Sequence, residues 1–410
     1  MTPPEQSASP FAHQLAALAE LCVVRGVNLQ RQQELIVSAP LEASALVHQI
    51  ACCSYARGAK SVTCLYEDPV LIRDHLTESE IQSLDYAPEW MFRGVVEGMR
   101  SGAARLRLVG PYPDLLSDVP IDRIARAHRA RLPKMREEEK MFAQSKINWC
   151  VLPVVTTSWA KQVFSHLPEE VAQDRLWDAV FDVTRIADDD PMREWDTHLN
   201  ALDSRREALQ ERAFRFLRFF DGKTDLKVDL AEGHRWVGGT AVAANGVHGI
   251  HNIPTEEIFT SLGGNGVHGQ VFFSRPLALG GEVVEKLYAE FDHGKLTKLR
   301  ADRGLEVFEQ LIANDERSRR LGEIGLVPAS SRVGRAEIAF WNPLMDRNAA
   351  SHVAFGESPD AGPHPLDEER AHESAMRIDC ILGHAAMHID GITGAGQALP
   401  VMRHGEFVEF

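Results

Sequence analysis

Glu34–Ala39 (ELIVSA), the amphipathic stretch Glu42–Arg57 and Ser61–Tyr66 (SVTCLY) decide the fold of the first half of this chain. A short apolar run, a helix-length segment and a second short apolar run spell a strand–helix–strand crossover, the unit from which parallel sheets are built. Working outward, Arg105–Val109 (RLRLV) and Trp149–Val155 (WCVLPVV) repeat the theme, again separated by helical segments. No G-x-G-x-x-G follows any of these runs, so a dinucleotide fingerprint is absent. The basic stretch Arg123–Lys140 contains Glu137–Glu139 and reads as a solvated helix face rather than a nucleic-acid site.

Asp188–Pro191 (DDDP) is a helix start, with acids ahead of a proline in the first turn. Trp195, Leu199, Leu202, Leu209, Phe216 and Phe220 then recur at roughly helical spacing, which predicts one long helix ending at Asp221–Gly222. Beyond it the chain reads as strands and tight turns: LKVDL, WVGG, an Asn265–Gly266 hairpin signal, and His293–Gly294 before KLTKL. A helix over about Gly304–Arg320 is expected to stop at Gly322 as a C-cap, and Ser358–Glu373 reads as a polar loop. The expected fold class is α/β. An N-terminal α/β domain (1–221) with a mainly parallel sheet ends in the long helix, and a strand-rich α+β domain (222–410) follows.

The 410 residues carry 44 Lys+Arg against 59 Asp+Glu, a net charge of −15. That balance argues against nucleic acid and against an anionic membrane surface, both of which select basic proteins. The 44% hydrophobic and 25% charged residues are ordinary globular values. Six cysteines without C-x-x-C spacing suit reduced thiols, not a disulfide framework. Met1–Gln14 shows no secretory pattern, and no apolar run approaches the ~20 residues of a membrane span, so a soluble, cytoplasmic protein is expected. Of 17 histidines, eleven lie at or after His234, which directs any metal or proton chemistry to the second half.

Several motifs are missing there: no H-E-x-x-H, no G-x-S-x-G elbow and no phosphate loop. What stands out is acids and histidines in apolar surroundings. Glu256–Glu257 lie in NIPTEEIFT, Glu323 in RLGEIGLV, His352 in NAASHVAFG, Asp379 in MRIDCIL, and His388 with Asp390 in MHIDG. Carboxylates flanked by Ile, Leu and Phe must be paired, hydrogen-bonded or ligated. From the residues alone, separate structural ion pairs and one shared metal site both remain open.

From about Trp195 onward the chain resembles the aminopeptidase T family of metallopeptidases. The likeness rests on W-x-x-H-L at Trp195–Leu199, T-D-L at Thr224–Leu226, N-I-P-T-E-E-I-F-T at Asn252–Thr260 and R-R-L-G-E at Arg319–Glu323. D-x-N-A-A-x-H at Asp346–His352, G-x-T at Gly391–Thr393 and P-V-x-R-x-G at Pro400–Gly405 continue it. The resemblance implies a cytosolic homodimer that uses paired divalent ions (Zn, Co or Mn) to remove N-terminal residues from small peptides. It implies metal ligands at Glu257, Glu323 and His352, with sixty-six positions between the two glutamates. It also implies a His-x-Asp pair on one strand.

That pair is where the chain departs. Aligned without gaps backwards from Gly405, it falls on Arg377–Asp379, and arginine has no lone pair for a metal. The alternative, His388–Asp390, lies eleven residues on and needs a loop shift. In the preferred gapless placement, His388 is expected on the next strand of a hairpin turning near Gly383–Ala386. His248 and His251 are further candidate substitutes. A tyrosine expected seven residues after His352 is Pro359, and an acid expected after Asp346 is Arg347.

The expected function is therefore a hydrolase in which one or two ions polarise an amide carbonyl and activate water. A carboxylate of Glu256–Glu257 serves as general base, and Arg377 neutralises the acids or binds a substrate carboxylate. Two rival readings are an Fe(II) ring-opening dioxygenase related to the family and a non-catalytic descendant.

Overall fold

Four of the apolar runs form a single sheet. In the computed structural model, which describes residues 9–113, 115–116, 118–263, 265–279, 282–313, 315–356 and 376–409, they are strands Glu34–Pro40, Ser61–Glu67, Ala104–Val109 and Trp149–Pro153. Every pairing is parallel, and Glu34–Pro40 sits between Ser61–Glu67 and Ala104–Val109. Leu35, Val37, Leu106, Leu108 and Leu152 are buried, as expected for crossover strands covered by helices. The basic stretch lies in the helix Ile121–Ala143, but its charges are not simply solvated. Glu138 is buried against Arg105 of a strand at 2.9 Å, while Arg126 and Lys134 pair with Asp85 and Glu89.

The long helix spans Pro191–Arg212 and stops short of the expected end. Phe216–Phe220 is instead a strand, in which Leu217 and Phe219 are buried. It belongs to an eight-stranded antiparallel sheet, in the order Lys295–Arg300, Tyr288–Asp292, His268–Phe272, Asp225–Asp229, Phe216–Phe220, His388–Ile392, Ala398–Arg403 and Glu406–Phe407. His293 and Gly294, both at positive φ, make the tight turn between Tyr288–Asp292 and Lys295–Arg300. Asn265–Gly266 makes no hairpin, because the strands flanking it join different sheets and Asn265 accepts a hydrogen bond from Arg320. The later helix is only Leu305–Ile312, and Gly322 lies inside the strand Leu321–Leu326. Ser358–Glu373, including Pro359, lies outside the described residues.

The chain divides into two compact units, Met1–Thr197 with Thr240–Pro254, and His198–Gly239 with Thr255–Phe410. The division thus falls within the long helix and not at Gly222. Thr240–Pro254 returns to the first unit because Val151 and Asn252 form a parallel bridge beside the strand Trp149–Pro153. No described helix is long and apolar enough to cross a membrane.

Candidate metal centre

A four-stranded antiparallel sheet of the second unit positions the acids and the histidine. Its order is Arg377–Ile381, His352–Gly356, Leu321–Leu326, Ile258–Ser261. Side chains alternate along a strand, and residues directly opposite one another across a ladder share a face. Ile258, Ile324, Leu326, Val353, Phe355, Ile378 and Cys380 all fall on one face and join the core of this unit. Full burial of each large apolar side chain contributes about 1.5–3 kcal/mol, which locks the register.

The other face follows by parity. Glu323 lies opposite Ala354, Ala354 opposite Asp379, His352 opposite Gly325 and Gly356 opposite Arg377. Glu257 stands two residues before Phe259, which pairs with Gly325. Charged and small residues therefore alternate on the site face. Gly325 is required there, because a Cβ at that position would stand 2.2 Å from the His352 ring. A bulge between Leu321 and Glu323 re-aims the Glu323 carboxylate. Gly238 plays a similar part behind Glu257: its backbone passes so close that a Cβ would meet the Glu257 carbonyl at 2.4 Å.

The side chains converge. His352 Nε2 lies 3.4 Å from Glu257 Oε2 and 3.8 Å from Glu323 Oε1, with the three side chains at most 3% exposed. Ligand atoms of Glu257, Glu323 and His352 all lie within 4.8 Å of one another. Glu257 Oε2 and both ring nitrogens of His352 have no hydrogen-bond partner, a costly state for fully buried polar atoms.

Two arginines fill part of this ring of acids. Arg377 donates from its terminal nitrogens to both oxygens of Glu323, at 2.6 and 2.7 Å. It also donates from Nε to Asp379 Oδ1 at 3.0 Å, with a second nitrogen 2.8 Å from the same oxygen. Arg347 Nε lies 3.3 Å from Glu257 Oε1. Burial works to raise the Glu323 carboxyl, yet the Arg377 fork beside it holds it well below the usual carboxylate range. Burial likewise works against a charged His352, and Glu323 and Glu257 overcome it and raise the imidazole above its ordinary value.

Neighbouring motif residues support the cluster. The backbone N–H of Glu256 donates to Asn348 Oδ1 at 2.7 Å, and Asn348 Nδ2 donates to Leu344 O at 2.8 Å. His198 Nε2 lies 2.7 Å from the Thr255 carbonyl, so that nitrogen carries the proton, and 3.8 Å from Glu256 Oε2. Asp346 accepts from the N–H groups of Phe340 and Asn342 at 3.1 and 2.9 Å.

Burial raises the Asp346 carboxyl from its ordinary 3.8 to about 6. A raised carboxyl means that the folded state binds the proton more tightly than the unfolded one. Its contribution is therefore complete below the unfolded value and is lost as pH rises through about 6. Ionising it costs about 3 kcal/mol. Asp346→Asn is expected to remove about 2 kcal/mol of the fall in stability between about pH 4 and pH 6.5, the part of that cost that lies inside the window. Urea unfolding of both proteins at the two pH values would measure it, and parallel curves would refute it.

The structure thus brings Glu257, Glu323, His352, Arg377 and Asp379 together, with Glu256 adjacent in the chain. It places His388 and Asp390 elsewhere: their strand pairs with Phe216–Phe220 in the eight-stranded sheet, so no hairpin links them to Arg377–Asp379. His388 stacks on Phe220 and Asp390 is paired with Arg403. His248 and His251 belong to the first unit. There His251 stacks on Trp149, and burial pushes its imidazole down to about 4. Sequence reasoning passed over His198, Asn348 and Gly325. The first two stand in quoted motifs, while the need for Gly325 follows only from its cross-strand partner.

Comparison with known proteins shows the family. Residues 11–407 match the family model described as thermophilic metalloprotease (M29). The chain is 38% identical over 404 residues to aminopeptidase T of Thermus thermophilus, covering 97% of this chain and 99% of that one. It is 35% identical over 402 residues to aminopeptidase 2 of Geobacillus stearothermophilus, covering 96% and 97%. The solved structure of wild-type AmpT from Thermus thermophilus superposes with a TM-score of 0.92 over 97% of this chain and 100% of that one. The likeness therefore extends over the first half as well, beyond the stretch from Trp195 onward that carries the motifs. This chain belongs to the thermophilic metalloprotease (M29) family and is a metallo-aminopeptidase-like hydrolase.

Proposed function

We infer that this protein is a metal-dependent hydrolase of the aminopeptidase class, acting on small peptides or amino-acid-derived amides. One observation carries the reading. Glu257 Oε2 and the His352 ring are buried, convergent and without hydrogen bonds, so a carboxylate oxygen and one imidazole nitrogen are held at a cost to the fold where a cation could take them, displacing any proton on that nitrogen. Glu257, Glu323 and His352 would hold one divalent ion. Bound there, such an ion supplies Lewis acidity, polarising an amide carbonyl and acidifying water.

The chain's own residues do the rest. Glu256 is buried, fixed through its backbone by Asn348 and adjacent to Glu257. We assign to it the role of accepting a proton and returning it to the leaving amine. Arg377 is engaged through all three of its nitrogens with Glu323 and Asp379, so its role in this reading is to neutralise the acids, and that altered charge supports a substrate preference shifted from that of the relatives. The Fe(II) ring-opening reading gains less support, since such sites offer two imidazoles and one carboxylate. The buried cluster offers one imidazole, and the group that does offer two, His268 and His293 with Asp292, lies largely exposed.

Purified protein stripped with chelator and reloaded with Zn, Co or Mn is expected to release amine from a panel of dipeptides and aminoacyl arylamides. Absence of release with every metal and substrate would overturn the reading.

A further inference from the structure

We propose that Arg377 is a built-in cation that takes over part of the acidic ring, so that this site binds one divalent ion and cannot bind two. The inference rests on the metal-dependent reading above and deepens it.

It follows from which lone pairs are already spent. A carboxylate has about four lone-pair sites. Arg377 uses one on each oxygen of Glu323 and directs two nitrogens at Asp379 Oδ1. Arg347 faces Glu257 Oε1. What remains free to converge is Glu257 Oε2, His352 and the unused lone pairs of Glu323, and these form a single group. Asp379 is drawn to Arg377 and is not part of that group, and no second buried group exists among the described residues.

Charge agrees with the lone pairs. Arg377 bridges Glu323 and Asp379 and Arg347 faces Glu257, so two guanidiniums stand against these three buried or nearly buried carboxylates and leave one negative charge for an ion to meet. A second ion would add two more positive charges to a pocket whose acids are by then already matched, and would have to displace a bidentate fork, the strongest form of carboxylate pairing.

The test is metal stoichiometry, read by calorimetric titration with Zn²⁺ and by elemental analysis of the dialysed protein. Both use a His268→Ala background, because the exposed group His268, Asp292 and His293 would otherwise add a surface site to the count. The expected count is one ion for this protein and two for Arg377→His, which replaces the guanidinium with a ligand. Saturation with Mn²⁺ gives an independent readout: an isolated-ion paramagnetic spectrum with Arg377 and a spin-coupled pair with Arg377→His. Two ions in the protein carrying Arg377 would overturn the proposal while leaving the hydrolase reading intact. No ion at all would overturn the hydrolase reading, and this proposal with it. If Arg377→His fails to fold, the count on the protein carrying Arg377 still decides.

Discussion

Glu257→Gln is expected to lower kcat/KM by about 10³-fold or more, equivalent to at least about 4 kcal/mol of transition-state stabilisation. The same substitution is expected to leave the metal-free fold no less stable. These two effects come from one source. Glu257 Oε2 is a buried charged oxygen with no hydrogen-bond donor, facing His352 at 3.4 Å. Such an atom costs the folded protein and returns something only when a cation arrives. Glutamine keeps the shape and a carbonyl oxygen toward Arg347 but removes the charge that ligates. Thermal unfolding in chelator should therefore give an unchanged or higher Tm. Added Zn²⁺ should stabilise the protein carrying Glu257 by about 4 kcal/mol at a thousandfold excess over Kd, and the variant far less. A variant that keeps the full Zn²⁺-dependent rise would remove Glu257 from the metal site.

How far the fold was legible depended on whether local spacing admitted one reading. The strands of the parallel sheet were legible because short Val- and Leu-rich runs separated by helix-length segments have few other uses. Phe216 and Phe220 were misread because a four-residue spacing suits a helix and equally suits one face of a strand. The intervening Leu217 and Phe219, which are the buried pair, carried the missing information. Asn265–Gly266 has turn chemistry without a hairpin, since only long-range pairing decides which sheet each neighbouring strand joins. The site shows the same limit. Glu257, Glu323 and His352 were recognisable from motif and spacing. Arg377–Asp379 and His388–Asp390, however, present similar local patterns, and the cross-strand register separates them. That Arg377 would grip both Glu323 and Asp379 depends on a bulge and on glycine and alanine at the facing positions, which no local pattern announces.

Removing a cation from this ring should do the opposite of removing an anion. Arg377→Met keeps most of the apolar stem but leaves Glu323 and Asp379, 3% and 13% exposed, without their shared partner. Breaking a buried pair from one side costs about 3–5 kcal/mol. The lower end applies here because the Arg377 side chain is itself 22% exposed. A loss of about 3 kcal/mol corresponds to a fall in Tm of about 6–12 °C for a unit of this size. The penalty should be largest near neutral pH. It should shrink as pH falls through the ordinary carboxylate range, because without Arg377 the strongest hold on the ionised form of Glu323 is gone. It should shrink also with Zn²⁺, since the freed carboxylates can then ligate. Differential scanning calorimetry at about pH 7.5 and pH 5, with and without Zn²⁺, checks every part. An unchanged Tm in chelator at neutral pH would mean that water and local relaxation, rather than the guanidinium, carry the charge of Glu323 and Asp379. The strongest pattern would be a variant destabilised alone yet restored by metal, with Glu257→Gln behaving in the reverse sense. That pattern would show a ring of acids tuned so that a fixed guanidinium and an exchangeable ion share its charge.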